Sequence, residues 1–223
     1  MGIIEATSKV SDCSMLNRYD VLDPKIFIHR DIFLKKHGIT IAQTTRMRGN
    51  YQRDDYCRYF ELQAPFKDHG MLDNNVPIAD ALITNESDHA LFLPIADCVG
   101  ATFYDSKKQI LAVAHLGRHS LEQNGGFQIV EYLKNMYAVD ANNLQVWLTP
   151  APGKDIYPIY KLDNKGMKEV VFEQLEKAGI KKANIVNNPA DSSRDMDYFS
   201  YSEFLKGNRN QDGDYAVVAM MTN

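Results

Sequence analysis

The feature that most constrains the fold of this chain is a series of four short apolar segments between residues 79 and 117. ADALITN, HALFLPIAD, VGATFYD and QILAVAHLG are each rich in Val, Ile, Leu, Ala and Phe, and short polar stretches separate them. Segments of this length and composition are typical of β-strands, and the SKK between the last two is typical of a turn. We therefore expect consecutive strands here, with at least one hairpin.

The remaining sequence mixes helical patterns with further strands. Apolar residues at helical spacing predict helices over about 126–139 and about 163–178, with Asp163 and Gly179 as caps. KIFIHRDIFLKKHGI is compatible with a short helix, and ITIAQTT, LQVWLTP, KKANIVNN, YFSYSEFL and DYAVVAMM are typical of strands. Mixed strands with interspersed helices predict an α+β fold in which helices cover the faces of the sheets.

The chain shows no internal repeat and no low-complexity linker, so we expect a single domain over residues 1–223. Residues 1–75 carry the weakest pattern and form its divergent N-terminal part. The segment RMRGNYQR concentrates positive charge, and we interpret it as a solvated loop.

Composition excludes several functional classes. The net charge of −4 and the pI of about 5.9 leave no broad basic field for nucleic acid or an anionic membrane. No apolar stretch approaches the roughly 20 residues of a membrane span, and the N-terminus lacks the pattern of a secretion signal. Cys13, Cys57 and Cys98 are an odd number without CxxC spacing, which favours a reducing cytoplasm. We expect a small-molecule substrate and a monomer or small homo-oligomer.

Two residues at the ends of apolar segments are the strongest candidates for chemistry. Cys98 and His115 each follow a strand-like segment, where a side chain has rigid support and can still reach a pocket. A thiolate and a neutral imidazole are good zinc ligands. The same pair can serve as nucleophile and base. A buried thiol beside an incidental histidine accounts for the residues equally, so the pattern alone leaves all three interpretations open.

The order of several separated motifs resembles the laccase-domain family, whose members are also called multicopper polyphenol oxidases or peptidoglycan editing factors. In that family the series runs ADALVTN, TADC, AVHAGWRG, GPAIGP and FFSYRR. This chain offers residues 79–85 (ADALITN), 95–98 (IADC), 112–117 (AVAHLG), 149–153 (TPAPG) and 198–201 (YFSY). The resemblance covers residue 79 to the C-terminus.

The resemblance implies a fold of two mixed β-sheets packed together with helices on the outer faces, related to bacterial cysteine-hydrolase toxins. It also implies a His, Cys, His metal site, usually zinc and less often copper, in which Cys98 and His115 are the second and third ligands. Asp97 is expected just outside the ligands, as part of the catalytic group. Family members are associated with purine nucleoside phosphorolysis and adenosine deamination, and with older claims of phenol oxidation.

The first metal ligand is harder to align. The family has an HG dipeptide ahead of ADALVTN, and KDHG at residues 67–70 supplies His69 in that position. A rival alignment places the QTTR of residues 43–46 there and replaces the histidine with Thr45. We expect His69 to be the ligand.

The departures from the family bear on activity. Where relatives have GWRG, this chain has Gly117, Arg118 and His119, and we expect Arg118, His119 and Thr84 to contact the substrate. The paired arginines of the family's SYRR are here Ser202 and Glu203, which removes a fork for binding anions and puts phosphorolysis in doubt.

Three functions are compatible with the sequence. The first is a zinc-dependent enzyme that acts on a purine nucleoside or a similar small metabolite. The second is a metal-free Cys–His amidase or deamidase. The third is a family scaffold without activity that serves as a binding protein.

Overall fold

A computed structural model describes residues 2–49 and 54–223 of the chain. The strands are β1 (Gly2–Thr7), β2 (Thr44–Arg46), β3 (Tyr59–Glu61), β4 (Ala81–Thr84), β5 (Ala90–Ile95), β6 (Val99–Asp105), β7 (Ile110–Leu116), β8 (Gln145–Leu148), β9 (Ile185–Asn187) and β10 (Tyr215–Thr222). The helices are α1 (Pro24–Lys36), α2 (Arg118–Glu122), α3 (Gly125–Tyr137), α4 (Met167–Lys177) and α5 (Tyr201–Leu205).

Within the described residues, the strands form two mixed sheets. The first has the order β1-β10-β5-β2, in which β2 runs parallel to β5 and the other pairs are antiparallel. The second has the order β3-β4-β7-β6-β8-β9, with parallel pairs at both edges and antiparallel pairs between them. The expected α+β fold with two mixed sheets is confirmed.

The C-terminal strand β10 shows how one sheet separates two layers of core. Side chains alternate between the two faces of a strand. Tyr215 and Val217 pack into the layer between the sheets, whereas Ala216 and Val218 pack on the opposite face against α1. One face of the first sheet therefore contributes to the core between the sheets, and the other face packs against α1.

Strand β7 divides its side chains in the same way. Ala112 and Ala114 face α3 and α4 across the outer core, and Leu111 and Val113 face the first sheet. His115 shares the parity of Leu111 and Val113, so the alternation directs it to the inner side, at the end of the strand. Packing of the core therefore fixes which way this histidine faces.

The strands β4 to β7 and the helices α3 and α4 confirm the sequence expectations for this part of the chain. The second helix begins later than expected because Gly166 is its N-terminal cap, while Asp163 adopts a left-handed conformation with φ of 55° in the preceding turn. Gly179 follows that helix with φ of +98°, a conformation that favours glycine.

Two expectations for local structure are wrong. The segment YFSYSEFL does not form a strand: α5 begins within it because the Ser200 hydroxyl accepts a hydrogen bond from the Glu203 amide and caps the helix. The segment RMRGNYQR is not simply a solvated loop, since Arg46 belongs to β2 and is only 1% exposed. Its residues 50–53 lie outside the described part of the chain.

The described helices include none that is long and apolar enough to cross a membrane.

Helix α1 is anchored by a buried arginine. Arg30 is fully buried; its Nε donates to the Met15 carbonyl at 2.9 Å and its Nη1 to the Met71 carbonyl at 2.7 Å. Burial is the main cause that lowers the pKa of Arg30 to about 9, which still leaves the guanidinium charged at neutral pH. One side chain thereby ties two loops to the outer face of the first sheet.

We predict that Arg30→Ala lowers the free energy of unfolding by about 3 kcal/mol, because it opens a cavity and leaves two buried carbonyl groups without a donor. Urea denaturation measures this change. The control is Lys35→Ala on the exposed side of the same helix, which we expect to change stability by less than about 0.5 kcal/mol. Equal effects of the two substitutions would contradict the anchoring role.

Candidate functional site

A cavity of about 450 Å³ opens where the chain crosses from the first sheet to the second, between the end of β5 and the start of β6. It is open to solvent on one side, and the ends of β5 and β7 and the start of α2 form its floor. Its lining consists of Arg18, Tyr56, Asp80, Ala96, Asp97, Cys98, His115, Gly117, Arg118, His119, Ser120, Tyr157, Tyr201, Ser202 and Leu205. Five of the seven sequence candidates are therefore found together in one place.

Cys98 and His115 converge at Gly117. A methyl group placed on Gly117 would lie 3.1 Å from Cys98 Sγ and 3.2 Å from His115 Nε2. The thiol and the imidazole nitrogen therefore flank the same small space. Only glycine leaves this space open, because a side chain at position 117 would meet both reactive atoms.

The position of Cys98 depends on a strained turn at Asp97. This residue has φ of 60°, a left-handed conformation that aspartate tolerates better than most residues. Its carboxylate accepts hydrogen bonds from Ser200 Oγ at 2.7 Å and from the Ser202 amide at 2.5 Å. The turn directs Cys98 toward the cavity, and the Asp97 side chain holds α5 against the cavity wall.

The pair is uncharged at neutral pH. Burial, reinforced by the nearby Asp97 carboxylate, raises the pKa of the Cys98 thiol to about 12, although the Arg118 amide opposes this by donating to the sulfur. Burial lowers the pKa of His115, and the Asp80 carboxylate offsets part of that effect. The site therefore presents a thiol beside a neutral imidazole that can accept a proton.

Asp80, the residue just before β4, supports His115. The Asp80 carbonyl accepts the backbone N–H of His115 at 2.8 Å, and its carboxylate pairs with Arg58 Nε at 2.9 Å. Asp80 is almost fully buried, so this ion pair is shielded from solvent. The Asp80 carbonyl fixes the backbone of His115, which lines the cavity.

Aromatic and cationic side chains form the cavity wall. The rings of Tyr56 and His119 stack with centroids 4.8 Å apart and an interplanar angle of 23°. Tyr157, Tyr201 and Arg118 complete this wall. Arg118 and His119 were expected at the site from the sequence. The tyrosines were not, although Tyr201 ends the YFSY motif, because they come from three distant segments and share no spacing.

Two sequence candidates lie elsewhere. His69 is half-buried, its ring contacts Phe66 at 5.3 Å, and its carbonyl accepts the Arg46 amide at 3.0 Å. Thr84 is at the far end of β4, paired with Leu111, and its hydroxyl accepts the Glu86 amide. The structure brings together Asp97, Cys98, His115, Arg118 and His119, but it does not bring His69 or Thr84 to them.

The side chains at the site do not fit the three-ligand zinc centre that the motifs imply. Catalytic zinc is held by three protein ligands. Among the described residues, no group of three His, Cys, Asp or Glu side chains could hold a metal ion. Residues 50–53 are Asn, Tyr, Gln and Arg, so they add none of these types. Asp80 and Asp97 are engaged by Arg58 and by Ser200 and Ser202, which leaves Cys98 and His115 as a two-ligand set.

The fold and the cavity define a class of α+β proteins in which a cysteine and a histidine meet where the chain passes between two mixed sheets. Three solved structures share this fold at 14–17% sequence identity, a range in which the likeness shows the fold alone. Hypothetical protein YfiH of Bacillus licheniformis is 15% identical with a TM-score of 0.83, and the match covers 99% of this chain and 93% of that one. YlmD of Geobacillus stearothermophilus is 17% identical with a TM-score of 0.83, and the match covers 100% of this chain and 93% of that one. NMB0706 of Neisseria meningitidis is 14% identical with a TM-score of 0.71, and the match covers 100% of this chain and 91% of that one.

The family model described as multi-copper polyphenol oxidoreductase laccase matches residues 32–163, which is more than half of the chain. The protein belongs to this family, as its motifs indicate. No curated protein sequence matches the chain.

The state of the Cys98 thiol gives a direct prediction. At pH 8 we expect iodoacetamide to modify the exposed Cys13 at least about 100-fold faster than Cys98, because burial raises the pKa of the Cys98 thiol to about 12 and keeps it protonated. Peptide mass spectrometry over a time course gives both rates in one sample. Asp97→Asn should accelerate the modification of Cys98, since it removes a charge that raises the pKa of the thiol. Similar rates at Cys13 and Cys98 would contradict this description of the site.

Proposed function

We propose that the protein is an enzyme that acts on a purine nucleoside or a similar small metabolite in the cavity at Cys98 and His115. The observation that supports this most strongly is the convergence of Cys98 Sγ and His115 Nε2 on one point beside Gly117. Membership of the laccase-like family is compatible with such an enzyme.

The walls of the cavity suit a flat, polar ligand. Stacked Tyr56 and His119 and the nearby Tyr157 provide ring faces for a purine, and base–aromatic stacking contributes about 1–3 kcal/mol per base. Arg118 and Ser202 provide donors for oxygen atoms of a sugar. The volume of about 450 Å³ is within the usual range of small-molecule sites.

The ligand set supports a metal-free reaction better than a zinc-dependent one. We therefore favour Cys–His chemistry of the amidase or deamidase type, applied here to the deamination of the nucleoside. Cys98 would attack an sp² carbon that carries an amino group, forming a C–S bond. His115 would take the thiol proton and deliver it to the departing nitrogen, which leaves as ammonia when the C–N bond breaks. Water would then displace the sulfur and return the proton to Cys98.

The protonation states of the pair are consistent with this sequence of steps. A neutral His115 is able to accept a proton at physiological pH, and the lowered pKa keeps it neutral. Because the pKa of the Cys98 thiol is raised to about 12, no thiolate accumulates before the substrate binds. Proton transfer to His115 would therefore accompany the attack on the substrate.

We expect Cys98→Ala and His115→Gln each to reduce the deamination of adenosine to inosine by at least about 100-fold, because each removes one partner of the proton transfer. Coupled detection of ammonia measures the rate. Cys13→Ala is the matched control, since Cys13 is exposed and lies outside the cavity, and we expect its activity to equal that of the wild type. Adenosine that binds without turnover, with the same affinity in all variants, would favour a binding protein over an enzyme.

Metal analysis separates the two enzymatic alternatives. For protein purified without a histidine tag, we expect clearly less than one zinc or copper ion per chain, because two side chains do not form a stable catalytic metal site. Elemental analysis of the wild type and of Cys98→Ala gives the comparison. Stoichiometric zinc that disappears in Cys98→Ala would overturn the metal-free mechanism and support the zinc-dependent enzyme.

A further inference from the structure

The helix α2 joins the reactive pair to the aromatic wall of the cavity. It begins directly after Gly117, where the thiol and the imidazole converge, and it ends at its cap residue Gln123. His119 of this helix stacks on Tyr56, and both rings line the cavity. The contacts that hold Tyr56 against His119 therefore also determine the shape of the wall.

The side chain of Gln123 binds the backbone of residues 54–56. Its Oε1 accepts a hydrogen bond from the Tyr56 amide at 2.9 Å, and its Nε2 donates to the Asp54 carbonyl at 2.5 Å. A side-chain amide carries both donors and an acceptor, so one glutamine satisfies two backbone groups of the segment at once. Residues 54–56 belong to no helix or strand, and Gln123 thus supplies bonds that a neighbouring strand would otherwise provide.

Gln123 is itself fixed by the packing of three helices. Its amide donates to the Ser120 carbonyl at 3.0 Å in the last turn of α2. The buried Gln174 of α4 donates through Nε2 to the Leu121 carbonyl at 2.8 Å, and its Oε1 accepts the Gly126 amide at 2.9 Å. These bonds hold the junction between α2 and α3 against α4. A side chain supported in this way can position another one precisely.

The chain that follows Tyr56 has a separate anchor. The Arg58 amide donates to Asp80 Oδ2 at 3.1 Å, and Arg58 Nε donates to the same oxygen at 2.9 Å. Asp80 in turn accepts the backbone N–H of His115. Loss of the Gln123 side chain would therefore release Tyr56 while Arg58 stays attached, so the expected effect is local.

We propose that Gln123 is a positioning residue of the Cys98–His115 site, because its side chain holds Tyr56 against His119 in the wall on which the base of the substrate stacks. Gln123 does not line this cavity, so it acts on the ligand through Tyr56. An ordered ring reduces the entropic cost of binding. The proposal rests on the proposed function where it names a base as the ligand, whereas the bond from Gln123 to Tyr56 is independent of it.

Hydrogen exchange of individual amides, followed by NMR on the full-length protein, tests the positioning of Tyr56 without a ligand. We expect Gln123→Ala to accelerate exchange at Tyr56 at least about 10-fold, because the amide loses its acceptor, and to change exchange at Arg58 less than about twofold. The matched control is Gln145→Ala, at an exposed position on β8 outside the cavity, which should leave both amides unchanged. Unchanged exchange at Tyr56 in Gln123→Ala overturns the proposal.

Calorimetry with adenosine tests the consequence for binding. We expect Gln123→Ala to weaken adenosine binding at least about fivefold, which is the lower end of the contribution of base stacking. Gln123→Glu keeps an acceptor for the Tyr56 amide but loses the donor to Asp54, so its affinity should lie between those of the wild type and Gln123→Ala. This variant also keeps the volume of the side chain, which preserves the test if Gln123→Ala does not fold. Gln145→Ala should bind adenosine within about twofold of the wild type.

A double-mutant cycle shows whether Gln123 acts through Tyr56. In a Tyr56→Leu background, we expect Gln123→Ala to change adenosine affinity less than about twofold, because the ring that it positions is already absent. A purely structural role would weaken binding in both backgrounds. An equal loss of affinity with and without the Tyr56 ring therefore overturns the positioning role.

Failure of the proposed function would look different. If the wild type binds no adenosine while Gln123→Ala accelerates exchange at Tyr56, the bond between these residues is supported and the nucleoside proposal is refuted. If the wild type binds adenosine, and Gln123→Ala accelerates exchange at Tyr56 without weakening this binding, the wall does not receive the base. That result overturns the positioning role and leaves the proposed function intact.

Discussion

The turn at Asp97 is the constraint on which the site depends. Here the chain leaves β5 in the first sheet and enters β6 in the second, within three residues. The left-handed conformation of Asp97 reverses the chain sharply enough to make this crossing, and its carboxylate binds Ser200 and Ser202. Because one side chain joins the crossing to α5, the same residue sets the direction of Cys98 and the position of the wall opposite it.

The packing between the two sheets fixes the direction of His115, the second residue of the pair. His115 faces inward because Leu111 and Val113, with the same strand parity, are committed to the core between the sheets. A slip of one residue in β7 would move Leu111 and Val113 into the space that Ala112 and Ala114 fill against α3 and α4, and it would turn the histidine away. The hydrophobic core therefore holds the imidazole in register with Cys98, and Gly117 leaves the space between them open.

The sequence allows the central strands, the helices α3 and α4 and the proximity of Cys98 to His115 to be predicted, since each rests on a local pattern or on motifs in order. Helix α5 cannot be predicted in this way because it is only five residues long and depends on one cap at Ser200. Its apolar residues are equally compatible with a strand. The position of His69 could not be predicted from the sequence for another reason. An HG dipeptide aligns with a motif, but the backbone hydrogen bond to Arg46 holds His69 outside the cavity at Cys98 and His115.

The arginines show most clearly what a local pattern omits. In the sequence, Arg46 belongs to a basic segment that a solvated loop explains. The register of β2 with β5 instead pairs Arg46 with Phe92, whose side chain packs on the face of the first sheet that α1 covers. The alternation of side chains along a strand therefore directs Arg46 toward that face, where its charge contributes to lowering the pKa of Arg30. A charged segment can thus supply a buried residue, because the pairing of distant strands and not the local composition decides which side chains are covered.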